Sequence, residues 1–276
     1  MIKHLTIGKR NLDLSRSIVM GILNVTPDSF SDGGRFDRVD RAVEHALQMQ
    51  QEGADIIDVG GESTRPGASE VGTGEELDRV IPVIQAIRRQ SDIPVSIDTS
   101  KAEVMRVAVE EGADMVNDVN ALRAGGAVET CADLGVPVCL MHMQGEPRTM
   151  QQDPRYDDVV EDIAEFLGQR SQACIDAGID RAKIMIDPGF GFGKTLQHNL
   201  ELLNRLDVIC ELELPVLVGI SRKSMIGNLV DKPVAERLYG SLAAAVIAHG
   251  KGARLFRVHD VGPTRDALAI CDALQH

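Results

Sequence analysis

The stretch with the most evident chemical potential is IDPGFGFGKT, residues 186–195, where three glycines alternate with two phenylalanines between an aspartate and a lysine. A short apolar run at 184–186 precedes it and predicts a buried strand, so the stretch should form a loop at the carboxyl end of that strand. It is not a phosphate-binding loop of the G-x-x-x-x-G-K-[ST] type, because Pro188 stands where the first glycine is required. The dinucleotide pattern G-x-G-x-x-G also fails, since the third glycine comes one residue early.

Polar side chains also follow the other apolar, strand-like runs of the chain. In order, the strand-end residues are Asn24; Asp58; Asp98; Asn117 and Asp118; His142; Asp187; Ser221, Arg222 and Lys223; and Arg257 and His259. The carboxyl ends of all strands in a parallel barrel share one face, so these groups should be neighbours in space. For Thr99, Ser100 and Asp118, an equally good interpretation is that they only cap the following helix. Capping is a poor explanation for all eight strand ends together.

Three of these residues are acceptors that could read the edge of a flat heterocycle, namely Asp98, Asn117 and Asp187. A carboxylate that faces an N–C(–NH2)–N edge makes two parallel hydrogen bonds, as it does with a guanidinium. The loop phenylalanines, Phe190 and Phe192, either offer aromatic faces to such a ring or are simply core residues.

The donors and cations of the set are Lys223, Arg257 and His259, which can hold a ring oxygen or an anionic group. Two long polar loops, at 24–34 (NVTPDSFSDGG) and 60–67 (GGESTRPG), follow the first two strands of the same face. They are either lids that order on substrate or plain surface loops. Asn24, with Asp28 and Asp32 nearby, predicts a Mg²⁺ site, because this ion often takes few protein ligands together with water and substrate phosphates.

The elements that must position these residues alternate strictly along the chain. Apolar runs predict strands over 18–23, 54–59, 94–97, 114–116, 136–141, 183–186, 214–218 and 254–258. A period near 3.6 predicts helices over 40–52, 74–89, 101–111, 124–134, 157–177, 196–209, 233–249 and 262–274. Eight such units predict a (β/α)8 TIM barrel in a single domain over 1–276, with an open doubly wound sheet as the alternative. Residues 4–7 and 11–14 predict a short N-terminal β-hairpin that plugs one end.

Bulk composition limits the class of protein. The chain has 276 residues, of which 43% are hydrophobic and 26% are charged, as in ordinary globular proteins. Its net charge of −13 disfavours nucleic acid as a partner, since phosphate backbones bind basic surfaces. No membrane span and no signal peptide are evident. Five scattered cysteines predict reduced thiols, and we expect a cytoplasmic protein.

Eight separate segments carry a resemblance to a known family. In order they are NVTPDSFSDGG, IIDVGGESTRPG, SIDTSK, ND, LMHMQG, IDPGFGFGK, LVGISRKSMIG and RVHD. Over residues 19–260 the chain resembles the dihydropteroate synthase family. The resemblance implies a pterin-binding (β/α)8 barrel that forms a homodimer and uses Mg²⁺. It also implies an enzyme that joins 6-hydroxymethyl-7,8-dihydropterin diphosphate to 4-aminobenzoate in folate synthesis and that is a target of sulfonamides.

The resemblance also implies a role for individual residues. The pterin contacts would be Asp98, Asn117, Met141, Asp187, Phe190, Gly219 and Lys223. The diphosphate contacts would be Asn24, Thr64, Arg257 and His259, with Asn24 also at the metal. The aminobenzoate contacts would be Phe30, Arg65, Pro66 and Ser224, close to Lys223. Asp98, Lys223, Arg257 and His259 would be the catalytic residues.

The chemistry of these residues suits a dissociative substitution. If the diphosphate leaves first, the resulting cation is delocalised onto the pterin, where Asp98 against a ring N–H would stabilise it. Mg²⁺, Arg257 and His259 would stabilise the leaving group. Three other functions compete with this one: a pterin-dependent methyltransferase, a barrel aldolase that forms a Schiff base on Lys223, and a pterin-binding module without catalysis.

Overall fold

The computed structural model describes residues 2–26, 35–63, 71–145 and 149–274. Ten strands run along the chain as β1 (His4–Ile7), β2 (Arg10–Asp13), β3 (Ile18–Asn24), β4 (Ile56–Gly60), β5 (Val95–Asp98), β6 (Met115–Asp118), β7 (Val138–Met141), β8 (Ile184–Asp187), β9 (Leu217–Val218) and β10 (Leu255–Val258). The last eight form one parallel sheet in the order β8-β7-β6-β5-β4-β3-β10-β9. A parallel bridge between Ile186 and Val216 joins its two edges, so the sheet is a nearly closed barrel and the predicted fold is confirmed.

The helices pack on the outside of the barrel. They are α1 (Arg35–Gln51), α2 (Thr73–Arg88), α3 (Ala102–Glu110), α4 (Ala127–Leu134), α5 (Val159–Asp176), α6 (Leu196–Asn204), α7 (Leu206–Cys210), α8 (Ser224–Val230), α9 (Leu238–Gly250) and α10 (Val261–Ala273). Side chains on the outer faces of the strands, such as Val19, Ile57 and Ile97, are buried against these helices in the main core.

Two helical predictions differ from the structure. The helix expected over 196–209 is interrupted at Arg205, whose backbone leaves the helical region and whose side chain pairs with Asp158 and Glu161 at the start of α5. The helix expected over 233–249 starts later, at Leu238, after a 3-10 turn. Helix α8 was not predicted, because its seven residues are too few to show a period.

The N-terminal hairpin closes the amino end of the barrel, as predicted. Strands β1 and β2 pair antiparallel, with Leu5 opposite Leu12. Both side chains are buried in a cluster with Met20 and Ile56, which lie on the inner faces of the barrel strands. The hairpin turns at Gly8, whose φ of +57° and close approach to Asp114 exclude a larger residue. The barrel interior is therefore sealed at this end, which leaves the carboxyl end as the open mouth.

Strand register aligns the polar residues at that mouth. Asn24 lies opposite Gly60, Gly60 opposite Asp98, and Asp98 opposite Asn117 on four neighbouring strands. Met141 lies opposite Asp187 on β7 and β8, two residues beyond Cys139, which is the partner of Asn117 on β7. Residues in register on parallel strands point to the same side of the sheet. One turn of the barrel thus carries most of the side chains that the sequence singled out.

Two further properties bear on the class of protein. None of the helices in the described ranges is both long and apolar enough to cross a membrane. All five cysteines are free thiols, as predicted from their scattered positions.

Candidate active site

The centre of the barrel mouth is Arg257 on β10, which bridges two carboxylates. Its Nε donates to Asp58 Oδ2 at 2.6 Å, and its Nη2 donates to Asp98 Oδ2 at 2.7 Å. Asn117 Nδ2 also donates to Asp58 Oδ2, at 3.3 Å. Asp58 is fully buried, whereas the Asp98 side chain retains 10% exposure and Arg257 retains 21%. Asp58 is therefore the inner anchor of this group, and Asp98 is the member that a ligand can reach.

Burial and charge shift the proton affinities of this group. Burial raises the pKa of Asp98 to about 7; the guanidinium of Arg257 opposes the shift, and the Asp58 carboxylate adds to it. Burial acts to lower the pKa of Arg257, but Asp58 and Asp98 outweigh it and raise the pKa instead. Arg257 is thus permanently charged, while Asp98 is an acceptor whose charge depends on what binds beside it.

A second group of charges lies beside Gly219. Asp187 Oδ1 accepts a hydrogen bond from the Gly189 amide at 2.7 Å. A methyl group added at Gly219 would lie 3.8 Å from Asp187 Oδ2, 3.8 Å from Lys223 Nζ and 4.0 Å from the Cβ of Arg257. Gly219 therefore leaves open the space between the Asp187 carboxylate and the Lys223 ammonium, beside the Cβ of Arg257. This opening is where the flat edge of a ligand can meet both Asp187 and Lys223.

The environment of Lys223 makes its ammonium lose a proton more readily than that of an exposed lysine. Burial lowers the pKa of Lys223 to about 8, and the Asp187 carboxylate opposes the shift. Burial likewise raises the pKa of Asp187, with Lys223 as the main opposing charge. Lys223 Nζ donates to the Phe190 carbonyl and lies 4.5 Å from the centre of the Phe192 ring. A carbonyl dipole and an aromatic face thus replace part of the lost hydration of the ammonium.

The two loop phenylalanines have different positions, and one prediction needs correction. The Phe190 ring is fully buried in the main core, so it presents no face to the mouth; only its carbonyl contributes, by bonding Lys223. The ring beside Lys223 belongs to Phe192, which packs on the small cluster of Met141, Met143 and Met150. Phe192 was considered in the sequence as an aromatic face but was not assigned to the pterin.

The other predicted site residues surround this centre. Asn24 Oδ1 and Asp98 Oδ2 both lie within 4 Å of the point where a Cβ on Gly60 would stand, at 3.9 and 3.6 Å. His259 Nδ1 lies 3.1 Å from the hydroxyl of Ser221, in the loop that leads to Lys223. Ser224 is exposed at the first position of α8. Thr64, Phe30, Arg65 and Pro66 lie outside the described residues.

Two aspartates at strand ends have roles that the sequence left open. Asp118 accepts hydrogen bonds from the amides of Asn120 and Leu122 at 2.8 and 2.7 Å, and it also bonds the hydroxyl of Ser100. Asp118 therefore fixes the turn after β6, in line with the capping interpretation. Asp58 was not assigned to the site, although a carboxylate inside an apolar strand needs a cationic partner. Arg257, the cation within β10, was the signal that would have identified that partner.

The donor set at the mouth can be tested against the predicted magnesium ion. Among the described residues, no three His, Cys, Asp or Glu side chains cluster as a metal site. The amide oxygen of Asn24 and the carboxylate of Asp98 nevertheless both lie near Gly60. Oxygen donors of this kind suit Mg²⁺, which keeps several waters and takes the rest of its ligands from substrate phosphates. The residues present therefore fit the ion.

The arrangement combines a carboxylate edge with cations around one opening. Asp98 and Asp187 can accept from N–H groups, Asn117 can both donate and accept, and Lys223 can donate. Lys223 bonds a carbonyl, and His259 Nδ1 lies 3.1 Å from the Ser221 hydroxyl. The site is therefore suited to bind a polar flat ring and to stabilise charge that develops on it.

Comparison with known proteins identifies the family. The model of the family described as pterin binding enzyme matches residues 20–259. The dihydropteroate synthase of Haemophilus influenzae is 53% identical over 262 residues, which cover 95% of each chain. A crystal structure of the Yersinia pestis dihydropteroate synthase with a sulfonamide drug complex superimposes with a TM-score of 0.94, at 52% identity over 99% of both chains.

A further structure holds a reaction product. It is the dihydropteroate synthase from Xanthomonas albilineans in complex with 7,8-dihydropteroate, with a TM-score of 0.90 and 50% identity, and it covers 99% of this chain and 98% of its own. The similarity covers nearly the whole length of the chain, the barrel and the hairpin included. The chain belongs to the pterin-binding enzyme family and, within it, to the dihydropteroate synthases.

Proposed function

We propose that this protein joins 6-hydroxymethyl-7,8-dihydropterin diphosphate to 4-aminobenzoate, with 7,8-dihydropteroate and diphosphate as products. The observation that carries the proposal is the approach of Asp187 Oδ2 and Lys223 Nζ to the opening at Gly219, beside the Cβ of Arg257. The product-bound Xanthomonas relative and the sulfonamide-bound Yersinia relative support it, because both ligands belong to this reaction or its inhibition.

The pterin is proposed to bind with its polar edge against the carboxylates. Asp187 Oδ2 lies at the opening, so the two carboxylate oxygens of Asp187 would accept from the amino group and a ring N–H of the pterin as a fork. Lys223 would donate to the ring oxygen on the same side. Asp98 and Asn117 would hold the opposite edge, with Phe192 and Met141 along the ring face. The Phe190 ring takes no part in this proposal.

The diphosphate presents an electrostatic problem that supports a role for Mg²⁺. The positive charge of Arg257 is already shared by Asp58 and Asp98, and Lys223 is faced by Asp187. The whole chain is acidic as well, with a net charge of −13. A diphosphate therefore needs further positive charge, which a Mg²⁺ ion held by Asn24 would supply. Asn24 would orient the ion, while Arg257 and His259 would donate to the departing diphosphate.

A dissociative substitution is the proposed course of the reaction. Departure of the diphosphate leaves a cation delocalised on the pterin, and the carboxylates of Asp98 and Asp187 lie on the proposed ring edges. Such fixed charges stabilise a developing cation most strongly where water is scarce. The arylamine is a neutral nucleophile, so the absence of a strong base in the described part of the mouth does not hinder attack. Among competing functions, the methyltransferase and the non-catalytic module are disfavoured by the product-bound relative.

The aldolase alternative rests on Lys223 alone. A pKa of about 8 would suit an amine nucleophile. However, Lys223 Nζ is engaged with the Phe190 carbonyl and lies against the Phe192 ring, which favours a charged, bound ammonium over a free amine.

A homodimer is proposed from the surface of α8, α9 and α10. Helix α9 (LYGSLAAAVIAHG) is apolar on almost all sides, which is typical of a buried helix. Yet Tyr239 is 82% exposed and Ile247 is 50% exposed on it, and Ile270 on α10 is 66% exposed. A second copy of this chain would cover these side chains. The cytoplasmic location expected from the sequence stays a prediction.

The first test concerns the reaction and the pterin pocket. The purified protein should form 7,8-dihydropteroate and release diphosphate only when both substrates are present. Asp187→Asn keeps the size of the side chain but removes its charge and one acceptor, so the Kd for the pterin diphosphate should rise by about tenfold or more. Calorimetric titration measures this Kd.

The matched control for Asp187→Asn is Asp176→Asn, at the end of α5 and remote from the mouth. This variant should bind the pterin diphosphate as the wild type does. Wild-type affinity in Asp187→Asn itself would remove Asp187 from the pocket, whether or not the reaction is observed.

The second test uses the pKa of Lys223. An ammonium is charged below its pKa, so kcat/KM for the pterin diphosphate should fall as the pH rises through about 8. Lys223→Arg keeps the positive charge, because a guanidinium titrates only above about 12. Its kcat/KM should be lower overall, but the decline should move to higher pH. An unchanged alkaline limb in Lys223→Arg would assign that limb to another group.

The third test concerns the order of bond breaking and the ion. With ¹⁸O in the oxygen that links carbon and phosphorus, reversible departure of the diphosphate lets the label move to non-bridging positions. This positional exchange should occur without aminobenzoate and should stop when Mg²⁺ is chelated. Absence of exchange with Mg²⁺ present, under conditions of fast reversal, would count against the dissociative course.

The fourth test concerns the dimer. Ile247→Glu places a charge in the proposed interface, so sedimentation velocity at micromolar concentration should show monomers where the wild type is dimeric. Thr6→Glu, which adds the same charge on the exposed face of the hairpin, should leave the dimer intact. A wild-type protein that sediments as a monomer would refute the proposal.

A further inference from the structure

The closing lysine of the glycine-rich loop, Lys194, is buried inside the protein. Only 3% of it is exposed, although lysines are almost always at the surface. Its Nζ bonds the carbonyls of Gly189 and Phe192 at 2.9 and 3.0 Å and lies 2.9 Å from Nδ1 of His142. An ammonium has three N–H donors, and these three acceptors use all of them. Lys194 therefore folds back over its own loop and joins it to the residue that follows β7.

Neither end of this contact is neutralised by a bonded carboxylate. Burial lowers the pKa of Lys194 well below its usual range, with the charge of Asp187 as the opposing influence. Burial, together with the charge of Lys194, also lowers the pKa of His142 to about 2. His142 is therefore neutral, and when Lys194 is an ammonium, Nδ1 of His142 accepts its third hydrogen bond. The ring is held in this orientation by Phe166, whose ring centre lies 4.9 Å away, edge to face.

The loop that Lys194 closes is packed against the backbone after β7. A Cβ at Gly189 would lie 1.9 Å from the His142 carbonyl oxygen, and one at Gly193 would lie 2.5 Å from the Gln144 carbonyl oxygen. Both glycines also have positive φ, at +69° and +61°. Three further bonds hold the loop: Tyr156 Oη donates to the Gly193 carbonyl at 2.7 Å, Gln151 Nε2 donates to the Gly191 carbonyl at 2.5 Å, and the Gly191 amide donates to Asn199 at 2.7 Å. The conformation of the loop is thus fixed at almost every residue by a close contact, a positive φ or a hydrogen bond.

The opposite side of the same loop faces the barrel mouth. There the Gly189 amide bonds Asp187, the Phe190 carbonyl bonds Lys223, and the Phe192 ring lies against the Lys223 ammonium. Lys194 bonds the carbonyls of Gly189 and Phe192, the first and last residues of this set. The two lysines therefore hold the loop from its two sides, one buried and one at the site.

We propose that Lys194, through His142, is a positioning residue that holds the 189–193 loop so that Asp187 and Lys223 are set for the pterin. It touches no substrate. This proposal rests on the proposed function, because the pterin site is the one that the loop supports. It follows that removing the Lys194 donors should weaken pterin binding without removing any pterin contact.

The test compares Lys194→Met with the wild type. Methionine fills much of the same volume but leaves both carbonyls and Nδ1 of His142 without a donor. The Kd for the pterin diphosphate, measured by calorimetry, should rise by about tenfold to a hundredfold, since small displacements of positioning groups have effects of this size. Hydrogen exchange of the Gly189, Gly191 and Gly193 amides should quicken in the ligand-free protein. The matched control is Lys183→Met, which removes a lysine bonded to the Gly135 carbonyl at the amino end of the barrel and should change neither quantity.

A second variant keeps the test decisive if Lys194→Met does not fold. His142→Leu removes one of the three acceptors and should raise the same Kd by a few-fold. Where both variants fold, the double variant should bind no more weakly than Lys194→Met alone, because the two residues act as one unit. Unchanged Kd in a folded Lys194→Met, or in His142→Leu if that is the only folded variant, would overturn the proposal. Failure of the wild type to bind the pterin diphosphate would instead refute the proposed function.

Discussion

One guanidinium shared by two carboxylates fixes the open end of this barrel. Arg257 reaches the fully buried Asp58 with one nitrogen and the accessible Asp98 with another. A buried ion pair is costly unless its geometry and hydrogen bonds are good, and removing one partner leaves an uncompensated charge. Asp58 meets this condition by also accepting from Asn117. Four residues from four strands are therefore held in one arrangement before any ligand arrives.

The same group explains why the barrel mouth combines carboxylates with cations and is not simply cationic. Burial raises the pKa of Asp98; the single guanidinium of Arg257 opposes this shift, and the second carboxylate, Asp58, adds to it. On the other side of Gly219 the pair of Asp187 and Lys223 shows the same opposition, with both pKa values shifted toward the neutral forms. A ligand with N–H donors would offset the cost of burying these carboxylates, because its hydrogen bonds replace those that water would make.

Much of this arrangement could be predicted from the sequence, and the predictions that failed did so for physical reasons. Strand ends in a parallel barrel converge, so the grouping of Asp98, Asn117, Asp187 and Arg257 followed from the alternation of elements. The directions in which Phe190 and Phe192 point could not be predicted, because the glycines with positive φ around them break the alternation that a strand would impose. Lys194 was equally out of reach, since a lysine that bonds its own loop leaves no mark in composition or spacing. Contacts across the barrel, such as that of Asp58 with Arg257, require the closed fold itself.

The distribution of charge at the barrel mouth also affects substrate binding and the reaction in opposite directions. In the proposed site, the carboxylates around the pterin would repel an attached diphosphate, so they would disfavour the bound substrate relative to a separated cation and diphosphate. Interactions that are stronger in the transition state than in the ground state are the ones that accelerate a reaction. Asp98 and Asp187 would accelerate the reaction in this way only if the pterin ring stays fixed while the diphosphate moves away. A rigid loop at 189–193 and a buried anchor at Asp58 provide that fixity, which is why residues that never touch the substrate belong to the account of the reaction.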